Sequence, residues 1–178
     1  MASFILVAIL LAWFLFTFAF AFVGTSLEKA ERLTKILWNG RINKMGNPPF
    51  SWFMNAYENK SYIKSFFFVL IFNAFGHVAM FLLGYIKIGL VMIIIQPFMQ
   101  GALVGMGDEK TRLYGVITAV FEVSGFIISC SLGFFGAINY WWIPAIFLVL
   151  NALVEASGVL IGAQGVPGIE AVKNKQYK

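Results

Sequence analysis

The sequence predicts an all-α integral membrane protein, a helical bundle with five transmembrane helices and one cytoplasmic amphipathic helix. Hydrophobic residues make up 60% of the 178 residues and charged residues only 12%, about half the charged fraction of a soluble domain. Five apolar runs have about the length needed to cross the hydrocarbon core of a bilayer. These runs leave no room for a second globular unit, so residues 1–178 are predicted to form a single transmembrane domain.

The predicted spans cover residues 2–23, 65–84, 89–105, 113–136 and 142–163. The first run lacks the basic residues that begin a signal peptide and is longer than the apolar core of one, so we expect a retained membrane anchor. The third run is the shortest and contains Pro97. A proline inside a helix removes one backbone hydrogen bond, which predicts a kink or break at that point.

Basic residues predict the orientation of these spans. All but Lys87 of the 13 Lys and Arg residues lie in segments that five alternating spans place on one side of the membrane. Cytoplasmic loops carry an excess of Lys and Arg, so we expect a multi-pass cell membrane protein with its amino terminus outside and its carboxyl terminus in the cytoplasm. This topology also explains the net charge of +5. The lipid bilayer is therefore the expected surrounding, and nucleic acid is not expected as a partner.

Residues 24–64 are predicted to form an interfacial segment between the first two spans. Thr25 and Glu28 have the spacing of a capping box, which favours the start of a helix there. One face of that helix is apolar and consists of Leu27, Ala30, Leu33, Ile36 and Leu37. The pattern is typical of an amphipathic helix on the cytoplasmic membrane surface, and a docking surface for a partner is the alternative.

Two of the predicted spans each contain one acidic residue in nearly the same phrase. Glu122 begins E-V-S-G-F-I-I and Glu155 begins E-A-S-G-V-L-I. A charged side chain at the centre of a bilayer costs about 2.5–3.5 kcal/mol on insertion scales, so such a residue is expected to face the bundle interior and to have a partner. Counted from the cytoplasmic ends of the spans, Asn73 and Gln96 lie at the same depth in the membrane as the two Glu residues. His77 lies about one turn further out, where it could pair with either carboxylate.

The predicted intramembrane polar site consists of Glu122, Glu155, Asn73, His77, Gln96, Gln100 and Asn151. Small residues at helical spacing accompany it and predict close helix packing. They are Gly101, Gly105, Gly125, Ser129, Gly133, Gly158 and Gly162. We expect Glu122 and Glu155 to face each other across a helix contact lined with Gly and Ser.

Two explanations of the polar site remain open. In the structural explanation each Glu stays protonated and forms a hydrogen bond with Asn73, Gln96 or Asn151, which joins the helices. In the functional explanation the two Glu residues and His77 form a proton or cation relay, or bind a substrate near the middle of the membrane.

The sequence contains no recognisable catalytic motif. It has one His, one Cys and none of the C-x-x-C, H-E-x-x-H or G-x-x-x-x-G-K-[ST] patterns. A lone His supplies at most one nitrogen ligand, so neither a structural zinc site nor a haem site is expected. We therefore expect no enzymatic activity, no metal and no cofactor.

Three short motifs lie between Phe66 and Gly162. They are Phe72-Asn73-Ala74 with Gly84, Gln100-Gly101-Ala102 with Gly105, and Phe121-Glu122-Val123 with Gly133. These motifs resemble the stage II sporulation protein M family of multi-spanning membrane proteins. The chain departs from the family pattern at Gln100-Gly101, where the family tends to have Asn-Gly, and at Thr118-Ala119, where it tends to have His-Gly.

The resemblance implies a non-enzymatic membrane subunit. In spore formers, members of this family act with peptidoglycan hydrolases in a membrane complex that remodels the septal wall. We therefore expect a scaffold or assembly subunit whose partners are other membrane subunits or further copies of itself. The alternative is a small-solute or proton-coupled transporter that uses Glu122 and Glu155.

Overall fold

The computed structural model describes residues 2–24, 51–52, 55–56, 59–105 and 109–161. These residues are almost entirely helical, and no strand occurs among them, which confirms the predicted all-α class. The long helices are α1 (Ala2–Gly24), α2 (Tyr62–Tyr85), α3 (Gly89–Gly105), α4 (Glu109–Phe135) and α5 (Trp142–Ile161), and one turn of 3-10 helix (Ile138–Tyr140) precedes α5.

Four helices of the described part, α1, α2, α4 and α5, are long and apolar enough to cross a membrane. The protein is therefore a membrane protein by the length and composition of its helices. Helix α3 has 17 residues, which rise about 25 Å, less than the roughly 30 Å of a typical hydrocarbon core. For this reason the fifth span stays a prediction.

The predicted interfacial segment lies mostly outside the described residues, as do the capping box at Thr25 and Glu28 and the packing residue Gly162. At the end of this segment the chain turns at Asn59 and Lys60 and then enters α2. Whether an amphipathic helix precedes this turn stays a prediction.

Helix α4 is the central element of the bundle, because it packs against α1, α2, α3 and α5. In its most apolar part 56% of the residues are buried, against 22–33% in the other three candidate spans. The outer helices instead expose large apolar side chains, such as Phe16 of α1 and Phe75 of α2. Exposed apolar surface of this extent suits contact with lipid.

Helices α1 and α3 run parallel and in close contact. Trp13 is hydrogen-bonded to α3 at Ile94, and further along both helices the backbone of Phe18 lies against Gly101 and that of Phe22 against Gly105. A Cβ atom on Gly105 would lie 2.8 Å from the carbonyl oxygen of Phe22. The G-x-x-x-G motif of α3 therefore lets two backbones approach each other.

Helices α2 and α4 form a second parallel pair. The backbone of Gly84 lies against the carbonyl of Cys130, and Gly133 lies against the carbonyl of Phe81. Between the two pairs is a core that includes Phe14 of α1, Ile93 of α3 and Ile127 of α4, each at most 1% exposed. The other buried residues of this core are Leu10, Phe18, Met80, Ala119, Val123, Phe126 and Cys130.

Of the kink or break predicted at Pro97, the break does not occur, because helix α3 continues through the proline. A kink there stays a prediction. The indole Nε1 of Trp13 donates a hydrogen bond to the carbonyl oxygen of Ile94, at 3.2 Å. Ile94 belongs to the turn that Pro97 disturbs. Pro97 leaves the carbonyl of Ile93 without its usual helical donor, and the bond from Trp13 is at the next carbonyl, that of Ile94.

Candidate intramembrane polar site

Glu122 of α4 is bonded to Gln100 of α3. The Nε2 of Gln100 donates to Oε2 of Glu122 at 3.0 Å, and both side chains are partly buried. Gln96 lies one turn earlier on α3, and no hydrogen bond from it to a carboxyl is described. The partner of Glu122 on α3 is therefore Gln100, although counting depth along the sequence had favoured Gln96.

Glu155 of α5 is bonded to Asn151 of the same helix. The Nδ2 of Asn151 donates to Oε1 of Glu155 at 3.2 Å. Asn151 is only 1% exposed, so this bond lies inside the bundle. Because the two residues are one turn apart, the bond orients the carboxyl of Glu155 without joining two helices.

The carboxyl groups of Glu122 and Glu155 are close enough to interact electrostatically. Charges interact more strongly in an apolar bundle than in water, because little solvent screens them. Helices α3, α4 and α5 thus bring Gln100, Glu122, Asn151 and Glu155 into one polar site, which we call the carboxyl site.

His77 of α2 takes part in a different contact. Its Nδ1 is 2.8 Å from Oγ of Ser129 on α4, and which atom donates depends on the tautomer of the ring. The ring also packs edge-on against Phe126, with 4.9 Å between the centroids. His77 is therefore engaged with α4 through Ser129, where the sequence had suggested one of the carboxylates.

Asn73 of α2 is buried, and the structure describes no hydrogen bond from it to Glu122 or Glu155. Gln100 and Asn151 are therefore the predicted amide side chains that the structure shows bonded to the carboxyl groups.

The small residues that follow Glu122 face two different helices. Ser129 and Gly133 contact α2, through His77 and the Phe81 carbonyl. Gly125 lies between α2 and α5, where a Cβ atom would be 3.1 Å from Cβ of Phe147. Small residues therefore line the α2–α4 contact as much as the α4–α5 contact. Gly158 is buried in α5.

Sequence reasoning missed two residues that shape the bundle. Gly84 appeared only within a family motif, yet its backbone packs directly against α4 at Cys130. The bond from Trp13 to α3 had no signal, because a tryptophan in an apolar run is usual.

Two amide oxygens of the carboxyl site have no hydrogen-bond partner in the structure. They are Oε1 of Gln100 and Oδ1 of Asn151, and both are buried. A buried acceptor without a donor costs about 1–3 kcal/mol. Each such atom therefore calls for an explanation.

No group of three or more His, Cys, Asp or Glu side chains that could hold a metal ion occurs among the described residues. The carboxyl site has two acidic residues, and His77 is bonded elsewhere. Its chemistry is that of carboxyl and amide groups, which can bind and transfer protons or hold a small cation by oxygen atoms.

Comparison of the chain with protein-family models, with curated proteins and with solved structures found no match. The resemblance to the stage II sporulation protein M family therefore stays a prediction.

Proposed function

We propose that this chain is a non-enzymatic multi-pass membrane protein and serves as a scaffold or assembly subunit of a membrane complex. The observation that supports this most is the use of interior polar side chains to join helices. His77 and Ser129 connect α2 to α4, and Gln100 and Glu122 connect α3 to α4. Such interhelical bonds contribute about 0.6 kcal/mol each on average, and they fix the rotation of one helix against another. A bundle fixed in this way suits a protein that holds other membrane proteins in place.

The proposed topology has five spans, with α3 as the third. Five alternating spans make the first and third parallel, and the second and fourth parallel. The pairing of α1 with α3 and of α2 with α4 agrees with this arrangement. The distribution of Lys and Arg then favours an amino terminus outside the cell and a carboxyl terminus in the cytoplasm.

The resemblance to stage II sporulation protein M adds to the proposal by analogy alone. It rests on motifs such as Phe121-Glu122-Val123, in which Glu122 belongs to the carboxyl site. The analogy suggests membrane proteins as partners, and it names none.

Photo-crosslinking in living cells tests the scaffold proposal. A photoreactive amino acid replaces Phe16 of α1, Phe75 of α2 or Leu153 of α5, three exposed positions on different helices. We expect one position to crosslink to one defined membrane protein, or to a second copy of this chain, and the others to yield lipid adducts. The three positions serve as controls for one another. Lipid adducts at every position, together with a monomer on purification in mild detergent, would contradict the proposal.

The electrostatic contact between Glu122 and Glu155 favours a second candidate function, proton-coupled or small-solute transport. A single carboxyl bonded to Gln100 would be enough to join α3 to α4. A second carboxyl within electrostatic reach is not needed for packing, and it couples the proton binding of the two groups. Paired acidic residues inside a membrane bundle are typical of proton pathways.

Proton flux into vesicles distinguishes the two candidates. The purified chain is reconstituted in vesicles that contain a pH-sensitive dye, and a proton gradient is imposed. Transport predicts flux that Glu122→Gln or Glu155→Gln each reduces at least tenfold, while Glu109→Gln, the same change at the first residue of α4, leaves it intact. The scaffold proposal predicts no flux above that of empty vesicles, with both Gln variants still folded.

A further inference from the structure

Both unpartnered amide oxygens of the carboxyl site belong to residues that already contact a carboxyl. Gln100 donates from Nε2 to Glu122, and its Oε1 is unpartnered. Asn151 donates from Nδ2 to Glu155, and its Oδ1 is unpartnered. The same half-complete pair therefore occurs twice. Among the described residues, only one other buried side-chain atom has no partner, Oγ of Ser65 near the start of α2.

The protonation of the carboxyl decides whether these pairs can be completed. An ionised carboxylate only accepts hydrogen bonds, whereas a protonated carboxyl has one O–H donor. A protonated Glu beside a primary amide can accept from the amide N–H and donate to the amide oxygen. Two hydrogen bonds then join the two groups, and no acceptor is left over.

The charges around the site favour the neutral form as well. The described Lys and Arg side chains lie in turns or in the first turn of a helix, at Lys60, Lys64, Lys87 and Arg112. On α2 the titratable group of the span, His77, is bonded to Ser129. On α1 the polar side chain Thr17 is bonded to its own helix at Trp13. Two ionised carboxylates at this site would repel each other inside the bundle, and buried like charges close together are strongly unfavourable.

We propose that Glu122 and Glu155 each bind a proton in the folded chain and donate it to the amide oxygen of Gln100 and of Asn151. The bundle then contains two acid–amide pairs, each a proton-binding site made of one carboxyl and one amide. The pairs satisfy both unpartnered oxygens and leave the site without net charge. This inference goes beyond the scaffold proposal and does not depend on it.

Infrared spectroscopy of the full-length protein in lipid vesicles at pH 7 tests the inference. A protonated carboxyl has a C=O absorption band that an ionised one lacks, and the remaining Asp and Glu residues lie outside the predicted spans. We expect two protonated-carboxyl components at the lowered frequency of a hydrogen-bonded acid. Glu122→Gln removes one component and Glu155→Gln removes the other. Both changes replace a neutral acid by an amide of almost the same shape.

The amide partners give the second readout. Gln100→Leu moves the Glu122 component to higher frequency and leaves that of Glu155 in place, whereas Asn151→Leu does the opposite. Asn73→Leu is the matched control, because it makes the same change at a buried amide of α2 and should move neither component.

Two results would overturn the inference. One is the absence of protonated-carboxyl absorption at pH 7, which would mean that the carboxyls are ionised and are balanced by water or a cation. The other is a protonated-carboxyl band at the frequency of an acid without hydrogen bonds. Both results are measured on the unsubstituted protein, so neither depends on the folding of a variant. Neither result affects the crosslinking experiment, so failure of this inference and failure of the scaffold proposal are distinguishable.

Discussion

Gly133 lets the backbone of α4 approach the backbone of α2. A Cβ atom at this position would overlap the carbonyl of Phe81 and would lie 3.0 Å from the amide nitrogen of Tyr85. These are backbone atoms of a helix, so they cannot move aside as a side-chain tip can. The absence of a side chain at Gly133 therefore sets the distance between the two helices.

We expect Gly133→Ala to destabilise the bundle by about 1–3 kcal/mol, the usual range for overpacking. The measurement is the thermal unfolding midpoint of the purified protein in detergent. Ala79→Val serves as the control, because it adds carbon atoms at an exposed position of α2 and should leave the midpoint unchanged. Equal midpoints for both variants and the parent would show that α2 and α4 are not in close contact.

At the carboxyl site, single residues of like type have different roles. Gln100 bonds Glu122 while Gln96, one turn away, does not, and Asn151 bonds Glu155 while Asn73 has no described bond to either carboxyl. Both Gln residues lie on the same face of α3. A shift of one helical turn between α3 and α4 would exchange their roles.

Helix α3 is bonded to its neighbour α1 close to its proline. It contains Pro97, which has no backbone N–H and presses against the carbonyl four residues earlier. The bond from Trp13 of α1 to Ile94 reaches the same turn. The parallel packing of the two helices, with Gly101 and Gly105 against α1, positions Trp13 for this contact.

We expect Trp13→Phe to destabilise the bundle by about 1 kcal/mol, the usual contribution of one hydrogen bond, with some further loss from the smaller ring. The loss of stability is measured by thermal unfolding of the purified protein in detergent. Trp142→Phe is the matched control, since Trp142 of α5 is exposed and should tolerate the change. In a Pro97→Ala background we expect the same effect of Trp13→Phe, because Pro97 frees the carbonyl of Ile93, whereas Trp13 bonds that of Ile94. A much smaller effect of Trp13→Phe in that background would mean that the bond of Trp13 compensates for the proline after all.

The bundle as a whole has a buried central helix and an apolar outer surface. Helix α4 contacts the four other long helices of the described part, and it also contributes Glu122 and Ser129, which bond α3 and α2. The orientation of this bundle in the membrane follows from its basic residues. Lys87 lies in the turn between α2 and α3, and Arg112 lies at the opposite end of the bundle, in the first turn of α4.

We expect a cysteine at Lys87 to react with a membrane-impermeant thiol reagent in intact cells, and a cysteine at Arg112 to react only after permeabilisation. Both positions are exposed, and Cys130→Ala removes the one native thiol. The opposite pattern would invert the topology. Reaction of both cysteines in intact cells would place both ends of α3 on one side of the membrane and contradict the five-span arrangement.

The sequence by itself determined the helices and their membrane character. Apolar runs of about 20 residues can satisfy their backbone hydrogen bonds within lipid only as helices, so α1, α2, α4 and α5 follow from composition and length. The predicted contact between α3 and another helix through Gly101 and Gly105 follows in the same way, because two glycines one turn apart expose backbone on one side.

The tertiary structure alone decided which polar groups meet. His77 pairs with Ser129, and Gln100 with Glu122, because such partners depend on the rotation and translation of whole helices. Those are set by contacts far apart in the sequence, such as Gly84 against Cys130 and Gly133 against Phe81. One helical turn is only about 5.4 Å. When the depth of a residue is counted from an uncertain span boundary, the error in that depth is at least as large. The sequence could therefore locate a polar layer, while the packing of backbone against backbone chose the partners within it.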